Sequence, residues 1–245
     1  MESTCRRCQD EFTVTGEDLD FYAQLSPVFD GRRFELPPPS FCPDCRHQQR
    51  LAFRNERRLF RRPCSATGRQ IISIFPENSP YKVLANEVWW GSSWDARDFG
   101  RSYDFSRPFF EQFRELHRDI PKQALIATNN ENSDYVNYAL NCRDCYLLLG
   151  WGENNEHCMY GRLVVGCRDC IDISNARDCE LCCHSTDIST CYRLFYSQSC
   201  KQCSDSWYLK NCLACSDCFG CINLSHRRYC IFNEQYSRED YDLRL

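Results

Sequence analysis

Helical periodicity organises the first half of the chain, and a cysteine register organises the second. Residues 17–25 read as a short helix entered after Thr15. Leu36 and the three prolines after it read as extended, because proline disfavours helix in the residue before it. From Arg46 to about Arg62, the arginines take one side of a helical wheel and Ala52, Phe53, Leu59 and Phe60 take the other. That pattern predicts one helix stopped by Pro63. Residues 70–75 read as a strand. Residues 108–116 read as a helix entered at Ser106, with Phe109, Phe113 and Leu116 on one face, ending before Pro121. Residues 123–128 read as the first strand of the region that follows.

In that region, thirteen cysteines between Cys158 and Cys230 lie at multiples of three residues from one another. Cys158, Cys179, Cys200 and Cys221 recur every 21 residues, as do Cys170, Cys191 and Cys212, and Cys182 and Cys203. Metal-binding or catalytic cysteines need not repeat in this way. A stacked solenoid must, because each coil sets the same side chain above the last. The spacing predicts about five coils of about 21 residues, each of two similar halves and flattened in section. NCRDC at 141–145 matches GCRDC 25 residues later, which reads as one coil plus a four-residue insertion near 150–153. The Asp, Asn or Ser before many cysteines suits a corner, and the intervening IDIS, RLFYS and SWYLK are strand-prone. No obvious cap follows the last coil.

Three regions result: a finger with an arginine-rich helix (1–62), an aromatic linking region (63–124) and a β-solenoid (125–245). The fold class is mainly β, with a treble-clef-like finger and a small mixed α/β link. A net charge of −4 excludes a polycation that holds nucleic acid by charge alone. No apolar run reaches the length of a membrane span, and the N-terminus lacks the apolar segment of a secretory signal. The expectation is a cytoplasmic protein with no membrane partner. In a reducing cytosol the 21 cysteines then read as metal ligands or small buried residues rather than disulfides.

The strongest local motif is Cys5-x2-Cys8 with Cys42-x2-Cys45. Four thiolates fill a tetrahedral zinc shell and leave no open position, so one structural Zn2+ is expected here. The residues STCRRCQDEFTVTGEDLDFY and FCPDCRHQQRLAFR resemble the "probable zinc-ribbon" finger of bacterial proteins. With LAFRNERRLF, the paired tryptophans, DFSRPFFEQF and the cysteine repeat, nearly the whole chain resembles uncharacterised proteins of small-genome bacteria that join such a finger to a Cys-rich region. The gap between the two pairs is longer than in the compact finger. The resemblance implies the zinc site and implies no activity.

Arg46, Arg50, Arg54, Arg57 and Arg61 advance by 4, 4, 3 and 4, which puts five guanidinium groups on one helical face. This face is the candidate nucleic-acid contact, with RNA ahead of DNA; a solvated or internally paired face is the plain alternative. Cys212, Cys215, Cys218 and Cys221 resemble an iron–sulfur run, but the last spacing is short and Ile222 stands where that run has proline. Ladder packing is the favoured reading of them, since Ile188 and Leu209 take equivalent positions. Trp89, Trp90, Trp94, Phe99, Tyr103, Phe105, Phe109 and Phe110 read as a core joining the regions. Asp95, Asp98 and Asp104 are the candidate carboxylates of an enzyme, without a base or nucleophile at a recognisable spacing. The reading is a non-enzymatic zinc-binding scaffold for nucleic acid or protein. An enzyme with its site in the aromatic region, or a redox protein using the cysteine run, is the alternative.

Overall fold

The computed structural model describes residues 1–51 and 55–245, which form two compact units, Met1–Asn55 and Glu56–Leu245. In the first, β1 (Glu2–Thr4) and β2 (Glu11–Thr13) pair antiparallel. The turn between them carries Cys5 and Cys8 and closes through Cys5 N–H to Asp10 O (2.9 Å). Helix α1 (Gly16–Leu25) starts where expected, under a reciprocal capping box between Thr15 and Asp18. A hairpin of β3 (Val28–Phe29) and β4 (Arg32–Arg33) follows. Helix α2 (Pro43–Leu51) begins directly after Cys42, with proline at its first position, where the missing N–H costs nothing.

The arginine-rich helix is shorter than its periodicity predicts. α2 ends at Leu51, Arg54 lies outside the described residues, and Arg57 sits in a bend. Arg61 belongs to β5 (Phe60–Pro63), which pairs antiparallel with β6 (Gln70–Ser73). Tertiary contacts override the helical pattern here. Arg62 is buried, and its guanidinium donates to Pro76 O (3.0 Å), Ser79 Oγ (2.8 Å) and Tyr81 O (3.1 Å).

The rest of the linking region holds β7 (Val83–Leu84), α3 (Asn86–Trp89), α4 (Phe109–Asp119) and β8 (Lys122–Gln123), with β7 and β8 pairing in parallel. Cys64 closes a turn, accepting the Gly68 N–H at its carbonyl (2.9 Å). Cys64, Leu84 and Ala85 form a small core with Ile71, Val88, Trp89 and Trp94. The aromatic patch is therefore not one core. Trp89 and Trp94 pack inward, whereas Phe105, Phe109, Phe110 and Phe113 stand at the surface. Among the described residues no helix is long and apolar enough to cross a membrane.

The solenoid is real, but its coil is 12 residues, not 21. Strand registers pair Ala127 with Ala139, Met159 with Ile171, Ile171 with Cys183, Ser204 with Ser216 and Ser216 with Arg228. About nine such turns stack in parallel. From Asn154 to Phe232 every third residue has φ between 46° and 64°, and from Asn155 to Cys221 the residue after each one is buried. Each coil is thus four triplets and four bends, not two flattened halves. The left-handed position is where Asn and Asp are tolerated best, which explains the Asp or Asn preceding so many cysteines. Cys212, Cys215, Cys218 and Cys221 are the four inward residues of a single turn.

The 21-residue recurrence is an alias of the triplet. Twenty-one is seven triplets, so Cys158, Cys179, Cys200 and Cys221 occupy four different sides of the coil. The 25-residue repeat is two coils plus one residue. The extra residue is a bulge between Leu149 and Gly152, taken up at Gly150 (φ 89°), where the pairing offset changes from 13 to 12.

Three-residue sides explain why cysteine, serine and asparagine point inward. At each bend, backbone groups leave the strand ladder and need other partners. The side chain one coil earlier provides them: Cys170 Sγ accepts from Cys182 N–H (3.4 Å), Ser185 Oγ from Ser197 N–H (3.2 Å) and Ser206 Oγ from Cys218 N–H (3.0 Å). The thiols in turn donate to carbonyls, as Cys158 does to Glu156 O and Cys167 O, both at 3.4 Å. Apolar Leu148, Val164, Ile173, Ile188, Leu194 and Leu209 fill the remaining space. The space is tight: a Cβ on Gly161 would lie 2.7 Å from Leu148 Cδ2 and 2.8 Å from Val164 Cγ2. At the C-terminal end α5 (Arg238–Arg244) supplies the cap that the sequence did not suggest, with Tyr241 buried beside Tyr229.

Candidate metal centre

The β1–β2 turn and the start of α2 bring Cys5, Cys8, Cys42 and Cys45 together, with their sulfurs all within 4.8 Å of one another. Cys8 Sγ and Cys42 Sγ are 3.6 Å apart. Cys5, Cys42 and Cys45 are buried, Cys8 is exposed, and Phe12 and Phe41 pack against the buried three. Among the described residues this is the only group of three or more His, Cys, Asp or Glu ligand atoms so close.

The electrostatics suit a cation. Burial works against the Cys5 thiolate, but backbone groups of Cys42, Cys8 and Arg7 outweigh it and bring this thiol down to about 6. Arg7 N–H lies 3.5 Å from Cys5 Sγ. Backbone bonding at Asp10 favours the Cys8 thiolate, yet the Asp10 carboxylate, burial and the Cys5 and Cys42 thiols together push Cys8 up. Burial pushes Cys45 up. Four thiols this close cannot all ionise side by side; a bound cation removes that conflict.

The four thiols of one solenoid turn behave differently. Cys212, Cys215, Cys218 and Cys221 share one turn, but their sulfurs do not converge as those of the finger do. Each donates to backbone carbonyls, Cys212 to Lys210 O (3.5 Å) and Cys221 O (3.6 Å) among them. Burial pushes all four up, which favours the neutral thiol over the thiolate that ligation needs. Cys170, Cys182 and Cys191 make the same kind of carbonyl contacts.

The four described arginines do not share one helix. Arg46 and Arg50 are on α2, where Arg46 Nη2 donates to Tyr22 Oη (2.9 Å) and Arg50 is exposed beside His47. Arg61 Nη2 donates to Tyr135 Oη (2.7 Å), and Arg57 is exposed. The three carboxylates do not meet either. Asp95 caps the short 3-10 helix Ala96–Phe99 and pairs with Arg97, whose side chain holds its carboxyl below the usual range. Asp104 accepts from the hydroxyl (2.6 Å) and N–H (2.9 Å) of Ser106, which lowers it likewise.

No sequence pattern announces the cavity of about 700 Å³ in the second unit, bounded by Arg61, Arg69, Asn86, Trp90 and Tyr135. Its lining comes from β5, β6, α3 and the first coil, too far apart in sequence to form a motif. The chain matches no protein-family model, and no curated protein is significantly similar to it.

Proposed function

We propose that the protein is a non-enzymatic scaffold whose first unit is a treble-clef-like zinc ribbon, of the bacterial kind its motifs resemble, holding one structural Zn2+. The observation that carries this is the closed set of four sulfurs at Cys5, Cys8, Cys42 and Cys45. Sulfur-only donors select a soft or borderline ion, and a complete shell leaves no position for substrate or water. The test is metal content of protein purified without oxygen, with cobalt exchange read by its thiolate charge-transfer band. One zinc per chain, absent from Cys8→Ser, is expected. A metal-free protein with a folded first unit would falsify the proposal.

A second reading, RNA binding in the cytoplasm, keeps the support of exposed Arg50 and Arg57 after the five-arginine helix is lost. It predicts a salt-sensitive complex that Arg50→Glu with Arg57→Glu weakens. Each lost phosphate contact flattens the salt dependence by about 0.7 log units per decade. Equal binding by both proteins, or none at low salt, removes it.

A further inference from the structure

One side of the solenoid differs from the other three. Its outward strand positions stack as Tyr146, Met159, Ile171, Cys183, Phe195, Trp207, Phe219 and Ile231, each paired directly with the next. The left-handed position beside four of the eight rungs adds Tyr160, Tyr196, Tyr208 and Phe232, all about half exposed or more. The adjoining side carries the ladder Glu131, Arg143, Glu156, Arg168 and Glu180 instead. Eight rungs at about 4.8 Å make an apolar strip roughly 34 Å long and, at three residues, roughly 10 Å wide. Such a strip on a free surface marks an interaction site.

The ring geometry narrows the occupant. Phe195 and Trp207 are stacked at 5.6 Å and 11°, His184 and Tyr196 at 5.0 Å and 13°, Tyr196 and Tyr208 at 5.2 Å and 12°. Their faces are spent on one another along the solenoid axis, and edges face outward. Nucleic-acid bases need free ring faces to stack on, so an apolar protein surface fits better.

We infer that the occupant is a second copy of this chain, face to face and antiparallel. A two-fold axis between the Cys183 and Phe195 rungs sets Cys183 on Phe195, Ile171 on Trp207, Met159 on Phe219 and Tyr146 on Ile231. The smaller half of the strip then meets the aromatic half. In the flanking column, Asp172 meets the hydroxyl of Tyr208 and His184 meets Tyr196. A parallel arrangement would set Trp207 on Trp207 and Cys183 on Cys183 and carry the flanking columns to opposite edges, leaving Asp172 without a Tyr208 hydroxyl opposite it. Two such strips cover roughly 700 Å² in total, which puts the contact at the weak, transient end of specific interfaces. The contact is isologous and closed, so it stops at two chains.

The inference goes beyond the zinc reading and stands or falls apart from it. The experiment is sedimentation of the full chain from about 1 to 100 µM, the range expected for an interface of this size. A dimer is expected, with Trp207→Glu raising its dissociation constant about thirtyfold or more at unchanged circular dichroism. In the otherwise unaltered chain, p-benzoylphenylalanine at position 171 should cross-link to the partner peptide containing Trp207. This arm holds if the glutamate variant fails to fold. A monomer throughout, a dimer indifferent to Trp207→Glu in folded protein, or a cross-link landing elsewhere overturns the inference.

Discussion

Cysteine does opposite work in the two units. In the first unit, two short turns bring four sulfurs within 4.8 Å of one another, a set that could hold one metal ion. In the solenoid, the triplet backbone spaces the sulfurs along the walls of a stack, where each bonds to the carbonyls around it. The residue is the same; the backbone decides whether it is a ligand or a stitch. A cysteine count therefore teaches little until the local geometry is known.

The largest effect should come from the finger. On the proposed reading, Cys8→Ser or a strong chelator would remove a metal whose binding contributes on the order of 10 kcal/mol to folding such a unit. Loss of α1 and α2 is expected, with the solenoid's β signal intact in circular dichroism. If the solenoid melted with the finger, the two uses of cysteine would not be separable.

Next comes charge in the wall. Cys191→Arg buries an unpaired guanidinium and should cost about 3–5 kcal/mol, read as a lower denaturant midpoint. Cys191→Val keeps nearly the same volume and should cost less than about 1.5 kcal/mol without changing metal content. Metal release by the valine variant would move this wall into the ligand class.

Gly161→Ala should cost about 1–3 kcal/mol by overfilling the third coil against Leu148 and Val164. Leu148→Ala in the same chain should recover part of that loss. The smallest and most discriminating test is Cys170. Its sulfur accepts the N–H of Cys182, so Cys170→Val strands a buried donor at about 1–3 kcal/mol, whereas Cys170→Ser should be milder. Equal cost for Ser and Val would mean that the sulfurs only fill space.

The four-cysteine cluster was legible because a Cys-x-x-Cys turn is local, and two of them suffice to define four candidate ligands. The solenoid was legible in its triplet phase but not in its coil length. All four walls accept cysteine, so every multiple of three gives matches. The true period showed in the outward residues, where Glu131, Arg143, Glu156, Arg168 and Glu180 alternate in charge at 12 or 13. The same spacing carries Asn129 to Asn141 (2.7 Å) and Asn175 to Asp187 (2.7 Å). The arginine helix misled because residues 46–61 satisfy a helical wheel, while Arg62 is claimed by carbonyls at Pro76 and Tyr81 that no local pattern announces. Caps and cavity walls were illegible for the same reason: they join segments distant in sequence.

The triplet also sets the arithmetic by which this solenoid can change length. Adding 12 residues adds one turn and leaves every wall continuous. Adding three keeps inward residues inward but rotates everything downstream by a quarter turn, so the aromatic strip would break and resume on a neighbouring side. Adding one residue swaps interior for surface from that point on unless the backbone swallows it locally. The bulge at Gly150 is one such case, and beyond it the walls continue in phase. Insertions in this half of the chain should therefore be tolerated by size class rather than by position, with whole coils the most neutral and single residues the least.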